Sequence, residues 1–340
     1  MFLKNANLGR NEWWWYVITL VLVVIAALLG SIPLLPVANA TARKNGLTDR
    51  LFEFYSTTDY TLIGMEPWLF LLLMLVPFVV VLGVLWLCVR YIHRKPVGAI
   101  LTGRQLETPP PADSLAVIDD NPQPVRRFRF DWKRFGYGFL LWLVLSIALE
   151  GVHYLFHPEF YTFNFRADRF FPVLVVALLL LPLQVAAEEI VMRGYLMQAV
   201  ALLSKHRWIP LLVTSLLFGL LHFANPETGE FGFLPAMYGY IFMGLFLGLI
   251  TLLDDGLELP IGIHFANNLY AATITTYPAA ALPLPALFSI SELNIWTANA
   301  VLTVGSIAFL FLAARKYGWQ LKNLKAFLFT DPIPAAAPVS

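Results

Sequence analysis

Eight stretches of this 340-residue chain are apolar over lengths that reach or approach a membrane crossing: 13–36, 67–91, 135–156, 171–203, 208–223, 233–253, 259–279 and 294–314. At 1.5 Å per residue, about 20 apolar residues cross the roughly 30 Å hydrocarbon layer. The expectation is an all-α, polytopic membrane protein with about eight transmembrane helices. The fourth run is long for one crossing and carries Pro172 and Pro182, so tilt or a kink is expected there. The fifth is short, and a partial crossing would suit it.

Composition agrees with a membrane setting. Hydrophobic residues make up 59% of the chain and charged residues 13%, against about 45–50% and about 25% in soluble domains. The net charge of +1 gives no sign of nucleic-acid binding. Cys88 is the single cysteine, so no intrachain disulfide can form, and it reads as a lipid-facing or packed side chain.

The basic residues orient the chain. Of 23 lysines and arginines, 17 fall on the side of the N-terminus, five (Arg43, Lys44, Arg50, Arg166 and Arg169) fall on the other, and Arg193 lies within a span. The positive-inside bias therefore places both termini in the cytoplasm. Ala38-Asn39-Ala40 resembles a signal-peptidase site, but the run before it exceeds a signal core of about 7–15 residues and reads as a retained span.

Four regions follow. Residues 1–91 form an N-terminal pair of spans with an outer loop. Residues 92–134, with Pro109-Pro110-Pro111, Asp119, Asp120 and a basic cluster from Arg126 to Arg134, read as a flexible cytoplasmic linker. Residues 135–314 make a six-span body, and 315–340 a disordered cytoplasmic tail. Gly244 and Gly248 have the small-xxx-small spacing of tight helix packing. Asp254-Asp255 sits between spans, where a solvated pair is the ordinary explanation.

The fourth run holds Glu188, Glu189 and Arg193. Each charge facing lipid would cost roughly 2.5–3.5 kcal/mol, so all three should face protein. Residues four apart share a helix face, which makes Glu189 and Arg193 partners. Glu188 points elsewhere with no cation on its own helix, the setting of a general base. Two other runs carry polar groups: Phe218 and His222 at the outer end of the fifth, and His264 and Asn268 on one face of the seventh. Straight helices would leave His222 well across the membrane from His264. A shared site needs a kinked fourth span, a short fifth span or a wet cavity.

The order Glu188-Glu189…Arg193, Phe218…His222, His264…Asn268 resembles the CPBP intramembrane proteases, which include the type II CAAX prenyl proteases, often called Ras-converting enzymes, and the bacterial Abi proteins. The resemblance covers roughly residues 135–314. It implies a CPBP-like six-helix body and a glutamic endopeptidase in which Glu188 and His222 activate water. His264 and Asn268 would steady the oxyanion, with Glu189 and Arg193 in support. It also implies a membrane-associated peptide or protein substrate and an integral position in the bacterial plasma membrane, with no nucleic-acid partner and no cofactor. Glu188, His222 and His264 supply the ligand types of a catalytic zinc site, so a divalent metal is the alternative, although no His-Glu-x-x-His pair is present. Two other readings compete. A proton-coupled transporter would use the same intramembrane acids and histidines, and a non-catalytic Abi-type immunity or scaffold protein would not need Glu188.

Overall fold

The structure, a computed structural model, describes residues 2–108 and 125–333. The expected runs become α1 (Trp13–Ser31), α2 (Leu34–Asn45), α3 (Leu51–Thr57), α4 (Pro67–Leu87), α5 (Trp132–Phe156), α6 (Ala167–Glu189), α7 (Met197–Ala201), α8 (Trp208–Leu221), α9 (Pro226–Phe231), α10 (Phe233–Asp254), α11 (Glu258–Thr273), α12 (Ile295–Tyr317) and α13 (Leu324–Leu328). The strands are short: β1 (Gln105–Thr108), β2 (Val125–Phe128), β3 (Tyr161–Phe163), β4 (Thr275–Thr276) and β5 (Phe288–Ile290). The protein is all-α and polytopic.

Among the described residues, six helical segments are long and apolar enough to cross a membrane: Trp13–Asn45, Pro67–Ile92, Trp132–Phe156, Ala167–Ala201, Phe233–Asp254 and Ile295–Tyr317. Two of the eight expected runs fall short of that length. The fifth run gives only 14 helical residues in α8, about 21 Å at 1.5 Å each. The seventh gives 16 in α11, about 24 Å. α11 is buried along most of its length, so surrounding helices supply its apolar environment.

Side chains set several helix ends. Asp131 opens α5 by accepting from the backbone N–H groups of Lys133 and Arg134, and Asn294 opens α12 through those of Trp296 and Thr297. Gly318, at φ 72°, closes α12 in a left-handed conformation that suits a residue without Cβ. α6 runs through both prolines to Glu189, and the change of winding comes later, in a π-helical run, Ile190–Leu196. The extra residue per turn therefore falls directly after the two glutamates, and π-turns inside helices concentrate at functional sites.

α11 lies at the centre, between α5 and α6. Glycines let α5 approach it closely: a Cβ at Gly262 would stand 2.2 Å from the Phe135 carbonyl oxygen, and one at Gly138 2.7 Å from that of Leu259. α8 packs on α10 through the predicted glycine pair, where a Cβ at Gly244 would meet Ser215 and one at Gly248 would meet Leu211. The N-terminal pair packs on the body, α1 against α4 and α4 against α6. Tyr195 of the π-helical run also bonds the buried His93 ring at 2.7 Å.

Loops and tails meet at two ends of this bundle. At the linker end, Asp254 binds Arg104 and Arg134, and Glu258 binds Arg104 at 2.7 Å. Asp255 accepts from the backbone N–H of Phe2. The solvated pair expected at Asp254-Asp255 is thus a clasp. Two basic residues of the linker region neutralise buried carboxylates beside the start of α11.

The linker expectation changes in the same way. Residues 97–100 form a helical turn whose Ala99 and Ile100 are buried. β1 pairs antiparallel with β2, and Thr102 bridges to Gly256. Both described flanks are therefore packed, while the prolines 109–111 and the aspartates 119 and 120 lie outside the described residues. The tail, expected to be disordered from 315, continues α12 to Tyr317 and folds back to residue 333. The backbone N–H of Arg207 bonds the Thr330 carbonyl, and the Arg207 guanidinium lies 4.3 Å from the Phe327 ring. Residues 334–340 lie outside the described set. At the opposite, loop end, β3, β5 and β4 form one small sheet that links the α5–α6 and α11–α12 connections.

Candidate active site

Helical spacing on α6 separates the two glutamates as expected. Glu189 and Arg193 are both fully buried, with Arg193 Nη1 donating to Glu189 Oε1 at 2.9 Å. Arg193 Nη2 donates to the Gly244 carbonyl at 3.1 Å, and its guanidinium stands 4.6 Å from the Phe218 ring centroid. One cation therefore ties α6, α8 and α10 together. A buried charge of this kind is tolerated only because it is paired and hydrogen-bonded.

Glu188 points to a different set of partners. Its Oε1 accepts from Gln184 Nε2 at 2.7 Å, one helical turn back. Its Oε2 is buried, lies 3.5 Å from His264 Nε2, and has no hydrogen-bond donor among the described residues. That separation is an ion-pair distance, too long for a good direct hydrogen bond.

His264, 4% exposed, bridges the two acids. Its Nδ1 lies 2.8 Å from Glu189 Oε1. With Glu189 ionised by Arg193, Nδ1 must carry the proton, which leaves Nε2 facing Glu188. Nε2 and Oε2 are then both acceptors unless one holds a proton. The pair is thus arranged to share one proton, or to hold a water between its members. Asn268, one turn along α11, donates to Gln184 Oε1 at 3.0 Å. A closed circuit results: Asn268, Gln184, Glu188, His264 and back along α11.

His222 stands apart from this circuit, on the other side of Phe218. Its Nδ1 donates to the Phe218 carbonyl at 2.7 Å, which makes Nε2 the acceptor in the neutral ring. The ring stacks on Tyr240 at 4.5 Å and lies 4.6 Å from the Phe218 ring, whose other neighbour is His264 at 5.9 Å. His222 is the residue that caps the C-terminus of the short α8. The direct contacts of Glu188 are with Gln184 and His264; Phe218 stands between them and His222.

Two participants escaped the sequence reading. Gln184 sits four residues before Glu188, and that same-face spacing was the available signal. Tyr240 is one of several aromatic residues in an apolar run and carried none. Among the described residues, no group of three His, Cys, Asp or Glu side chains is placed to hold a metal ion. Of the three residues named for the zinc alternative, Glu188 and His264 lie together and His222 lies beyond Phe218.

Comparison with known proteins bears on the same segment. The family model described as Type II CAAX prenyl endopeptidase Rce1-like matches residues 169–270, the stretch that contains Glu188, His222, His264 and Asn268. The chain is 30% identical over 225 residues to the Uncharacterized protein YyaK of Bacillus subtilis (strain 168), covering 65% of this chain and 67% of that one. No solved structure matches. With six membrane-length helices around this site, the chain is an integral, multi-pass membrane protein that belongs to the Rce1-like family of type II CAAX prenyl endopeptidases.

Proposed function

We propose that this protein is an intramembrane endopeptidase that hydrolyses a peptide bond in a membrane-associated protein or peptide, with water activated by Glu188. The observation that supports this most directly is the 3.5 Å approach of Glu188 Oε2 to His264 Nε2, with Glu189 fixing the other face of the imidazole. A water accepted there would lose its proton to Glu188 as its oxygen attacks the substrate carbonyl. The carbonyl oxygen, now bearing the negative charge, would be steadied by Asn268 Nδ2 and by a protonated His264 Nε2. Glu188 then returns the proton to the leaving amine as the C–N bond breaks, giving an amine and a carboxylic acid, whose proton passes on to the amine.

His222 serves as the second base of the site. Its free Nε2 orients water or the leaving amine from across Phe218, and Tyr240 holds the ring plane. Glu189, Arg193 and Gln184 position the reacting groups. The reaction is carried without a resident metal. Both termini are proposed to face the cytoplasm, with the protein in the bacterial plasma membrane.

The test is a comparison of membrane proteomes from cells carrying wild-type and Glu188→Gln protein, read for newly trimmed termini and followed by cleavage of the identified peptide in detergent. Cleavage lost in both Glu188→Gln and His264→Ala is the expected result. Cleavage retained in both would remove these residues from the mechanism.

A further inference from the structure

On the face of α11 next to the catalytic one, a cavity of about 270 Å³ opens between α5 and α12. Its deep walls are apolar, Leu145 and Leu302 among them, and its polar lining includes Trp142, Glu150, Asn267 and Tyr270. Trp142 is 3% exposed, and its indole N–H has no hydrogen-bond partner among the described residues; the Tyr270 hydroxyl beside it faces Glu150 and Thr275. A buried donor left unpaired costs roughly 1–3 kcal/mol, so the Trp142 N–H beside this cavity points to an occupant that brings an acceptor oxygen.

Glu150 adds a second requirement. It lies within a membrane-spanning helix, accepts from the Tyr161 hydroxyl, and pairs with no lysine or arginine among the described residues. Tyr161 in turn bonds His153 Nδ1 at 2.6 Å. An acid on a membrane-spanning helix with no lysine or arginine beside it, only the His153 ring beyond Tyr161, is unusual, and such residues mark ligand or ion sites. Asn267 connects the cavity to the catalytic face by donating from Nδ2 to Asn268 Oδ1 at 3.3 Å. Tyr270 follows Asn268 by two residues, about 3 Å along the helix axis.

A peptide offers both features the cavity lacks, main-chain carbonyl oxygens and, on a lysine or arginine, a cation on a long apolar stem. We infer that the cavity is a substrate subsite for a basic side chain: Glu150, flanked by the Tyr161 and Tyr270 hydroxyls, pairs with the ammonium or guanidinium, while Trp142 Nε1 donates to a substrate carbonyl. The inference rests on the peptidase reading of the adjoining site.

The test uses the full chain in detergent with two fluorescent, end-blocked leucine-alanine peptides that differ only in a central lysine or norleucine. Binding is measured to Glu188→Gln protein, which keeps the cavity and does not turn over. The lysine peptide should bind about tenfold more tightly, and that preference should vanish in Glu188→Gln/Glu150→Gln and persist in part in Glu188→Gln/Glu150→Asp. Trp142→Phe, which keeps the ring and loses the N–H, should weaken both peptides alike. Equal affinity for the two peptides, no binding of either, or a preference that survives Glu150→Gln overturns the subsite. Failure of the peptidase reading looks different: the lysine preference appears, but wild-type protein cuts neither this peptide nor a randomised set.

Discussion

Glu189 Oε1 lies 2.8 Å from Nδ1 of His264, so a residue of α6 decides which nitrogen of an α11 imidazole carries the proton. Because the same carboxylate neutralises Arg193, Glu189 has structural as well as chemical weight, and Glu188 does not. Glu189→Ala should leave a buried guanidinium unpaired and lower stability by about 3–5 kcal/mol. Replacing Arg193 by Met in the same protein should restore part of the loss. Glu188→Gln should leave the thermal midpoint unchanged and reduce cleavage at least about 10²-fold. Thermal unfolding in detergent and a peptide-cleavage assay on the same preparations check the contrast.

Gln184 joins Glu188 to Asn268 through its two amide atoms, so the three side chains should behave as one unit. Asn268→Ala should lower kcat by about 10²–10³-fold, and Gln184→Ala by a smaller factor. In the double variant the two losses should fall short of additive, as they do for residues sharing a network. Strict additivity in a double-mutant cycle would show that Gln184 does not hold Asn268.

The α5–α11 contact depends on having no Cβ at Gly262 or Gly138. Gly262→Val drives a side chain into the Phe135 carbonyl and should destabilise the fold by about 1–3 kcal/mol or more. It should also reduce cleavage, since α11 carries His264 and Asn268. Gly151, on the same α5 helix with open space around it, is the control: Gly151→Ala should leave both unchanged.

Burial pushes the Lys95 ammonium down to about 8 from 10.5. With the folded value below the unfolded one, the unfolded chain binds more protons between the two, so stability rises with pH through that window. Below about pH 8 the buried charge opposes folding by up to about 3 kcal/mol. Lys95→Met should therefore raise the thermal midpoint at pH 7, and its advantage should shrink by pH 10. A constant difference across that range would contradict the assignment.

Each ring nitrogen of His264 faces a carboxylate, and Nδ1 of His222 is engaged with the Phe218 carbonyl. 1,10-Phenanthroline should leave the cleavage rate unchanged. Loss of activity on chelation, with recovery on adding Zn²⁺, would assign a metal to the site instead.

The sequence announced what burial and periodicity can announce. Glu189 and Arg193 lie four apart in an apolar run, which sufficed to pair them, and His264 and Asn268 were legible as one face of α11. The partner of Glu188 was not. Joining it to His264 before His222 depends on where α11 docks against α6, and that follows from Gly138 and Gly262 drawing α5 in close. The linker misled for a similar reason. Arg104 and Arg134 look like solvated flanks of a proline-rich stretch, and only the fold brings Asp254 and Glu258 to them. The π-helical run after Glu189 has no residue signature at all, since nothing in Ile-Val-Met-Arg-Gly-Tyr-Leu forbids ordinary α winding.

α8 is 14 residues long and turns Leu212, Leu216, Leu217, Leu220 and Leu221 outward. A greasy rod of about 21 Å cannot match a hydrocarbon slab near 30 Å, so acyl chains beside it must compress or headgroups must dip toward His222. Thinning of that kind would bring water toward the proposed site and make turnover depend on lipid chain length. Vesicles of short-tailed phospholipid should support the fastest reaction, and long-tailed ones should slow it without touching a single side chain.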